Sequence, residues 1–316
     1  MNPTSNLFRE LTAPELDAVA AAHLHTTDYR AQLLTGGMFN TTYLITPAAG
    51  EKAVLRVGPV NRHLLLPFEE NLMNAERHVY ERCAPLGLPV PRVLACDATK
   101  QLLDRDYMLT AYIDGTALAD MDADEQVKRA IHRDTGRYAC QMHGIAGDQF
   151  GRAADILRGR GRTRWSGCLQ SEIAGFIEKA AQTKIYSARQ LRRIERIYTS
   201  HAALLDEITA PRLVHADLWG GNILVTKQNS LAAVIDADRA IYGDVDFEFA
   251  SGWMTDDAFC EGYGRRPARD KAHVTRRRLY ALLYKLLDAY IWQAQYNNRH
   301  MSRANKLLAL RLMRKL

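Results

Sequence analysis

The chain has 316 residues, of which 47% are hydrophobic and 25% are charged, and its formal net charge is +6. These values are ordinary for a globular protein, so they exclude a disordered or fibrous chain. The length is sufficient for two parts that each bury a core of their own. The apolar stretch 279–291 is interrupted by Lys285 and Asp288, which argues against a membrane span.

Cysteine usage and the start of the chain both favour a cytoplasmic location. The five cysteines form an odd set without a Cys-x-x-Cys pair, which is typical of reduced, buried thiols. Residues 1–10 have neither a basic start nor an apolar core, so they do not predict a secretory signal.

The first hundred residues alternate between helical and extended patterns. Thr12-Ala-Pro-Glu15 is typical of a capping box and predicts a helix through about His23. Extended residues on both sides of Gly36-Gly37 predict a strand, a glycine turn and a second strand, and such a pair is by itself only a hairpin signal. The alternating segment Lys52–Val57 predicts the next strand.

A helix is predicted over Asn71–Glu81. It is followed by strands over 89–96 and 106–113, the second of which runs into an Asp114-Gly115 turn. Glu76 and Glu81 within the helix are explained equally well by a solvated helix face. We place the boundary of an N-terminal part, 1–113, and a C-terminal part, 114–316, at Ile113. Beyond it, a helical stripe predicts a helix over Asp124–His143.

The most informative pattern is His215-x-Asp217-x4-Asn222, followed fourteen residues later by Asp236 at the end of an apolar run. Phosphoryl transfer needs an acceptor for the proton of the attacking hydroxyl, and it needs oxygen ligands that hold Mg²⁺ against the phosphates. Asp217 fits the first role, and Asn222 and Asp236 fit the second. The alternative is that these are ordinary polar loop residues, but the flanking β-like runs favour the catalytic interpretation.

These motifs resemble the aminoglycoside phosphotransferase and choline kinase-like family, the small-molecule relatives of the eukaryotic protein kinases. His215-Ala-Asp217 and Ile235-Asp-Ala-Asp238 match the small-molecule branch of that group rather than protein kinases. The resemblance covers about Leu33 to Tyr263. It implies an α+β, bilobal, protein-kinase-like fold, with a small N-terminal β-sheet lobe carrying one main helix and a larger, mainly helical C-terminal lobe.

The resemblance also assigns roles to residues upstream and downstream of the motif. Main-chain groups of Ala111 and Ile113 would hold the base of ATP or GTP, His215 would organise the catalytic loop, and Asp238 would support the metal site. Arg56 stands where a lysine is common and would pair with Glu76 to position the phosphates. The residues implied for the glycine-rich phosphate segment are Gly36, Gly37, Asn40 and Thr41.

Charge is the best sequence guide to the acceptor. Residues 264–316 contain fourteen Lys or Arg but only two acids, and Arg158, Arg160, Arg162 and Arg164 form a second basic run. A cleft for a polycation needs carboxylates, and the acids that follow the metal motif could supply them: Asp244, Asp246, Asp256, Asp257 and Glu261. The basic tail is either the solvated side of an inward-packed helix or a nucleic-acid or membrane surface. The absence of a nucleic-acid motif favours the solvated side.

The sequence therefore predicts a magnesium-dependent small-molecule kinase, monomeric or homodimeric, that binds neither nucleic acid nor membranes. For the acceptor we favour a hydroxylated antibiotic or related natural product that is not a polycation, with Asp256, Asp257 and Glu261 as candidate contacts. A metabolic kinase of a choline-like amino alcohol or a homoserine-like amino acid is the alternative. A non-catalytic nucleotide-binding module is a further alternative, which is disfavoured because every catalytic position is filled.

Overall fold

The computed structural model describes residues 5–316, so residues 1–4 of the predicted N-terminal part lie outside the described residues. Five strands of this part form one antiparallel sheet in the order β1-β2-β3-β5-β4. Their bounds are β1 Tyr29–Leu34, β2 Thr41–Pro47, β3 Ala53–Val57, β4 Val93–Asp97 and β5 Tyr107–Ala111. Strands β2 and β3 alternate between buried and half-buried residues, which confirms the alternation predicted from the sequence.

Two helices accompany this sheet, α1 Ala13–Leu24 and α2 Leu72–Cys83. The main-chain N–H of Thr12 donates to the Glu15 carboxylate at 2.7 Å, so half of the predicted capping box caps α1. Helix α1 packs on the sheet through Val19. Helix α2 instead packs into a core that is shared with the C-terminal part.

The C-terminal part is mainly helical. Its helices are α3 Glu125–Met142, α4 Ala153–Ile156, α5 Trp165–Thr183, α6 Ala188–Ser200, α7 Ala202–Leu205, α8 Asp246–Ala250, α9 Asp257–Tyr263, α10 Lys271–Tyr290 and α11 Arg299–Met313. A π-helical segment, Ile291–Gln295, continues α10. The buried residues of α10 include Leu279, Leu282, Leu283, Leu286 and Leu287, which confirms the inward packing expected if the basic tail is the solvated side of this helix. None of the helices between residues 5 and 316 is long and apolar enough to cross a membrane.

Two small sheets hold the motif segments. One contains β6 Thr116–Ala117, β9 Ile223–Val225 and β10 Leu231–Val234, and the other contains β7 Gly151–Arg152, β8 Arg212–Val214 and β11 Ile241–Gly243. Strand β8 leads into His215, β9 follows Asn222, and β10 leads to Asp236. The N–H of Ile235 donates to the carbonyl of Asn222 at 2.9 Å, which fixes the two motif segments side by side.

An N-terminal strap, residues 5–11, joins distant parts of the molecule. Ser5 Oγ donates to the carbonyl of Met38 at 2.8 Å, beside the glycine turn. The N–H of Asn6 donates to the carbonyl of Gln295 at 2.7 Å, in the π-helical segment. Leu7 is fully buried in the core of the helical part.

Candidate active site

The catalytic loop is held by hydrogen bonds from both of its ends. The Asn222 amide Nδ2 donates to the Asp217 carboxylate at 3.1 Å and to its carbonyl at 2.8 Å. His215 is fully buried, and its Nε2 lies 3.1 Å from the carbonyl of Ile235. The Asp217 N–H donates to His215 Nδ1 at 3.3 Å, so His215 is the neutral tautomer with its proton on Nε2. Burial keeps the pKa of His215 below its ordinary value, which is consistent with that state.

Glu248 holds this loop through hydrogen bonds, although the sequence did not predict a role for it. Its buried carboxylate accepts the N–H of His215 at 2.9 Å and that of Ala216 at 3.4 Å. The His143 ring nitrogen Nε2 lies 3.5 Å away. Burial opposes ionisation, but His143 and the loop hold the pKa of Glu248 below its ordinary value. No motif spacing in the sequence identifies Glu248, because it lies on α8, more than thirty residues beyond the loop.

Two residues of the motif segments have left-handed backbones. Ala216 has φ 64° and Asp236 has φ 62°, a conformation that costs a residue with a Cβ about 1–2 kcal/mol. Glu248 holds the first residue through its N–H. The Tyr80 hydroxyl accepts the Asp236 N–H at 3.1 Å. Backbone strain is therefore located at Ala216 and Asp236, where hydrogen bonds with neighbouring groups hold the left-handed conformation.

The acidic side of the site is organised around Arg56 on β3. Its guanidinium forms ion pairs with Glu76 and Asp236, and it lies 3.7 Å from Asp238. Burial alone would lower the pKa of Arg56, but Asp236 and Glu76 raise it well above its ordinary value. Burial raises the pKa of Glu76, whereas Arg56 keeps the pKa of Asp236 low in spite of burial.

Glu76 is fully buried, so the alternative of a solvated helix face is wrong for this residue, whereas Glu81 is exposed. The carboxylates of Glu76, Asp236 and Asp238 each offer an oxygen, and these oxygens lie within 4.8 Å of one another. Oxygen-only ligands of this kind suit a hard cation such as Mg²⁺. Burial and Asp236 raise the pKa of Asp238 well above its ordinary value. A divalent cation would therefore relieve the repulsion between these carboxylates.

Asp217 is half-buried, in the loop that the hydrogen bond between Ile235 and Asn222 joins to the segment of Asp236. Burial raises the pKa of its carboxyl to about 7, Asp236 and Asp288 act in the same direction, and Arg239 and Asn222 oppose them. A carboxyl group with a pKa near neutrality can exchange a proton with a substrate, which is the behaviour of a general base. Such displaced values cluster at functional sites.

Arg239 is a second cation beside Asp217. It pairs with buried Glu69 at 3.2 Å. Its guanidinium lies 6.0 Å from the ring of Phe39 and 5.8 Å from that of Phe68. The ring of Phe39 comes from the segment after the glycine turn, so Arg239 connects that segment with the metal motif. No pattern in the sequence predicts these partners.

The glycine segment, which was predicted to bind phosphate, is only partly suited to do so through its side chains. Gly36 has φ 129°, a conformation that favours glycine, whereas a Cβ at Gly37 would meet nothing closer than 3.7 Å. Thr41 Oγ1 donates to the carbonyl of Arg9 at 3.0 Å, which directs it to the strap. The Oδ1 atom of Asn40 is buried, with no hydrogen-bond partner among the described residues.

The predicted base-binding groups lie at the end of β5. The Ala111 N–H donates to the carbonyl of Arg92, and the Tyr112 N–H donates to that of Lys52, at 2.9 and 3.0 Å. Tyr112 therefore belongs to the sheet edge, and Ile113 follows it in the connection to β6. The assignment of Ala111 and Ile113 to the base stays a prediction.

The predicted acceptor acids have partners elsewhere. Asp256 caps α9 and accepts from His132 at 2.7 Å, Asp257 pairs with Arg266 at 3.0 Å, and Glu261 pairs with Arg133 at 3.0 Å. These contacts lie on α3, on α9 and just after α9, and the structure does not bring them together with Asp217. Asp244 and Asp246 are buried, where Tyr280 and Arg277 bind them. They therefore stabilise the fold and do not line a cleft.

Comparison with known proteins identifies the family. The phosphotransferase enzyme family matches residues 30–283. The chain belongs to this family. No curated protein matches it in sequence. The candidate fructosamine-3-kinase of Thermobifida fusca has a similar structure, with a TM-score of 0.68 at 17% identity over 95% of this chain and 98% of that one.

Two aminoglycoside kinases have comparable folds. The streptomycin–ATP complex of APH(2″)-IIa gives a TM-score of 0.64 at 18% identity, over 96% of this chain and 97% of that one. The complex of APH(4)-Ia with AMP-PNP and hygromycin B gives 0.66 at 17%, over 95% and 98%. The predicted α+β protein-kinase-like fold, the family and the phosphotransferase activity on an alcohol acceptor are thereby confirmed. Identities this low bear on the fold and leave the substrate open.

Proposed function

We propose that this phosphotransferase moves the γ-phosphoryl group of ATP or GTP to a hydroxyl group of a small molecule. The observation that carries the proposal is the hydrogen bond by which Asn222 orients Asp217, in a loop that is joined to the segment of Asp236. Asp236 belongs to the group formed with Arg56, Glu76 and Asp238. In this proposal a proton acceptor lies beside a phosphate- and metal-binding group.

The residues have distinct tasks in this scheme, and Asn222 has two. Asp217 accepts the proton of the acceptor hydroxyl at its carboxylate, and Asn222 orients that carboxylate. Asp236 and the Asn222 amide oxygen are the proposed ligands of Mg²⁺, which Asp238 supports. When bound, the nucleotide would supply the phosphoryl group, and Mg²⁺ would neutralise the negative charge of its phosphates. The fold is consistent with nucleotide use, because similar structures contain ATP or AMP-PNP.

Arg56 has to change partners in this scheme. Its guanidinium is paired with Asp236, a carboxylate proposed to bind the metal ion. We infer that Arg56 turns from Asp236 to the phosphate groups when nucleotide enters, while its pair with Glu76 is kept. Gly36, Gly37, Asn40 and Thr41 would lie over the phosphates, chiefly through main-chain groups. Ala111 and Ile113 would hold the base through theirs.

For the acceptor, the leading proposal is a hydroxylated antibiotic or related natural product, phosphorylated as a means of resistance. Two structurally similar proteins are complexes with streptomycin and hygromycin B. The similarity to a candidate fructosamine-3-kinase favours a second possibility, a metabolic acceptor. The basic run 158–164 has less influence on which acceptor charge is preferred than its composition suggests, since Arg158 pairs with Glu70 and Arg160 with Asp155. Arg239 beside Asp217 is likewise paired, with Glu69, so it opposes a polycation less than a free cation would.

The test is a phosphorylation assay with ATP and GTP, with and without Mg²⁺, over hydroxylated antibiotics, sugars, amino alcohols and hydroxy amino acids. Metal-dependent transfer to one class is expected, with mass spectrometry showing one added phosphoryl group on a hydroxyl. Binding of Mg-nucleotide without transfer to any acceptor would refute the proposal for this panel. We also propose a cytoplasmic enzyme that is a monomer or homodimer, which fractionation and light scattering would test.

A further inference from the structure

A single helical face lies opposite the catalytic loop. Helix α10 and the π-helical segment after it carry Tyr284, Asp288 and Trp292, and Tyr296 follows at the end of that segment, so the four side chains occur at intervals of four residues. In an α-helix, residues four apart drift by about 40° around the axis. A π turn contains more residues and offsets that drift. The π-helical segment therefore keeps the last two aromatic rings on the same side as Tyr284.

Contacts at both ends orient this face toward the candidate site. The Tyr284 hydroxyl donates to the carbonyl of Ala216 at 3.0 Å, immediately before Asp217. Asp288 follows one turn later on the same side of α10. At the other end, Gln295, the neighbour of Tyr296, donates from Nε2 to Glu69, which is the partner of Arg239.

Trp253 packs beside this helical face. Its ring lies 5.9 Å from the ring of Tyr284 at 58°, and 44% of its surface is exposed. The other side of Tyr284 is supported by Phe247, whose ring centre is 5.0 Å away. Trp292 and Tyr296 form a second edge-to-face pair at 5.3 Å. Two aromatic pairs thus lie along the helix on either side of Asp288.

The charges along this face are nearly balanced. Lys285 pairs with Asp288 at 2.8 Å and with Asn305 of α11 at 3.1 Å. Arg239, beyond the end of this face, is paired with Glu69. Because both cations and Asp288 are paired, the face offers no net negative charge that would attract an acceptor with several amines. A quaternary ammonium would gain from the aromatic rings, but it would find no unpaired carboxylate on this face.

We propose that Trp253, Tyr284, Asp288, Trp292 and Tyr296 form the acceptor subsite, and that it takes an uncharged, ring-containing polyol such as the sugar of a glycoside. This inference rests on the proposed function, because it uses Asp217 as the proton acceptor. The apolar face of a sugar ring packs on the indole of Trp253, and Asp288 accepts a hydroxyl hydrogen bond. The hydroxyl that reacts then points toward Asp217.

The experiment uses the full chain with three probes: an uncharged nucleoside or macrolide glycoside, a kanamycin-type polycation, and choline. Binding is measured without nucleotide by ligand-observed NMR, and transfer is measured with Mg-nucleotide. We expect the uncharged glycoside to be preferred. Trp253→Ala should raise its KM about 10-fold with kcat and nucleotide KM unchanged, and Trp253→Phe should restore most of the loss. Leu86→Ala, at a residue that is 54% exposed in the turn after α2, is the control.

The outcomes separate this inference from the proposed function. Glycoside binding that Trp253→Ala weakens, without any transfer, supports the subsite and refutes the kinase proposal. Transfer with a preference for the polycation or choline overturns the subsite and leaves the kinase proposal intact. Transfer that Trp253→Ala leaves unchanged, or binding of no uncharged glycoside at all, likewise overturns it.

Discussion

The two sides of Asp217 differ in how they are built. On the nucleotide side, Arg56 lies among three carboxylates and forms ion pairs with them. On the proposed acceptor side, aromatic rings dominate and one ion pair, Lys285–Asp288, is present. Electrostatic positioning requires a fixed set of charges, whereas recognition of a small molecule relies on shape and a few polar groups. The first side can therefore be common to a family while the second varies.

The largest effect is expected at the boundary between the two sides. Asp217→Asn removes the proton acceptor but keeps the shape and leaves Asp236 untouched. Turnover should fall by about 10²–10⁴-fold, while the affinity for Mg-nucleotide stays close to that of the unsubstituted protein. Steady-state kinetics and calorimetric titration measure the two quantities. A near-normal rate in Asp217→Asn would remove Asp217 from its proposed role.

The charged side is tested by Asp236→Ala. Loss of an anionic ligand should weaken the Mg-dependent part of nucleotide affinity and lower turnover together, each by at least about 10–100-fold, since even groups behind the ligands contribute this much. Titration with nucleotide, with and without Mg²⁺, distinguishes this effect from misfolding. Asp122→Ala, at an exposed acid, is the control. Unchanged metal dependence in Asp236→Ala would mean that another residue binds the ion.

Support of the loop is tested by Glu248→Gln. A neutral amide oxygen would accept the His215 and Ala216 N–H groups less strongly, and it would leave His143 without its anionic neighbour. We expect the free energy of unfolding to fall by about 1–3 kcal/mol, measured by thermal and denaturant unfolding. Glu178→Gln, at an exposed position of α5, should change it little. Equal stability of the two variants would show that Glu248 does not hold the loop.

The smallest effect concerns pH. The carboxyl of Asp217, with a pKa of about 7, must be ionised to accept a proton, so kcat/KM should rise with pH through about 7. The folded state binds this proton more tightly than the unfolded chain does, so the group lowers the free energy of unfolding as pH rises from about 4 to about 7. Asp217→Asn should remove that part of the pH dependence. A kcat/KM that is flat between pH 6 and 8 would contradict the pKa assignment.

The nucleotide side could be predicted from the sequence because its residues lie in short segments with fixed spacing. His215, Asp217, Asn222 and Asp236 occur within one stretch, and the strands around them are visible as apolar runs. Glu76 was ambiguous, since spacing places it on a helix but not on a particular side. The structure resolves that ambiguity by burying it against Arg56.

The remaining parts depend on contacts between distant segments. Glu248 reaches the loop from α8, and Glu69 reaches Arg239 across 170 residues. The aromatic face depends on a π-helical turn, which no pattern in the sequence predicts. Acidity alone suggested Asp256, Asp257 and Glu261 for the acceptor, but their helix directs them to His132, Arg266 and Arg133. Composition predicts that such acids exist and does not predict which way they face.

The N-terminal strap has a thermodynamic consequence. It is hydrogen-bonded to Met38 beside the glycine turn and to Gln295 in the π-helical segment, so one short stretch of chain touches both halves of the site. A ligand that orders one end makes the other end less costly to order. We therefore expect nucleotide and acceptor to bind cooperatively. Because linkage is reciprocal, each should raise the affinity of the other by the same factor.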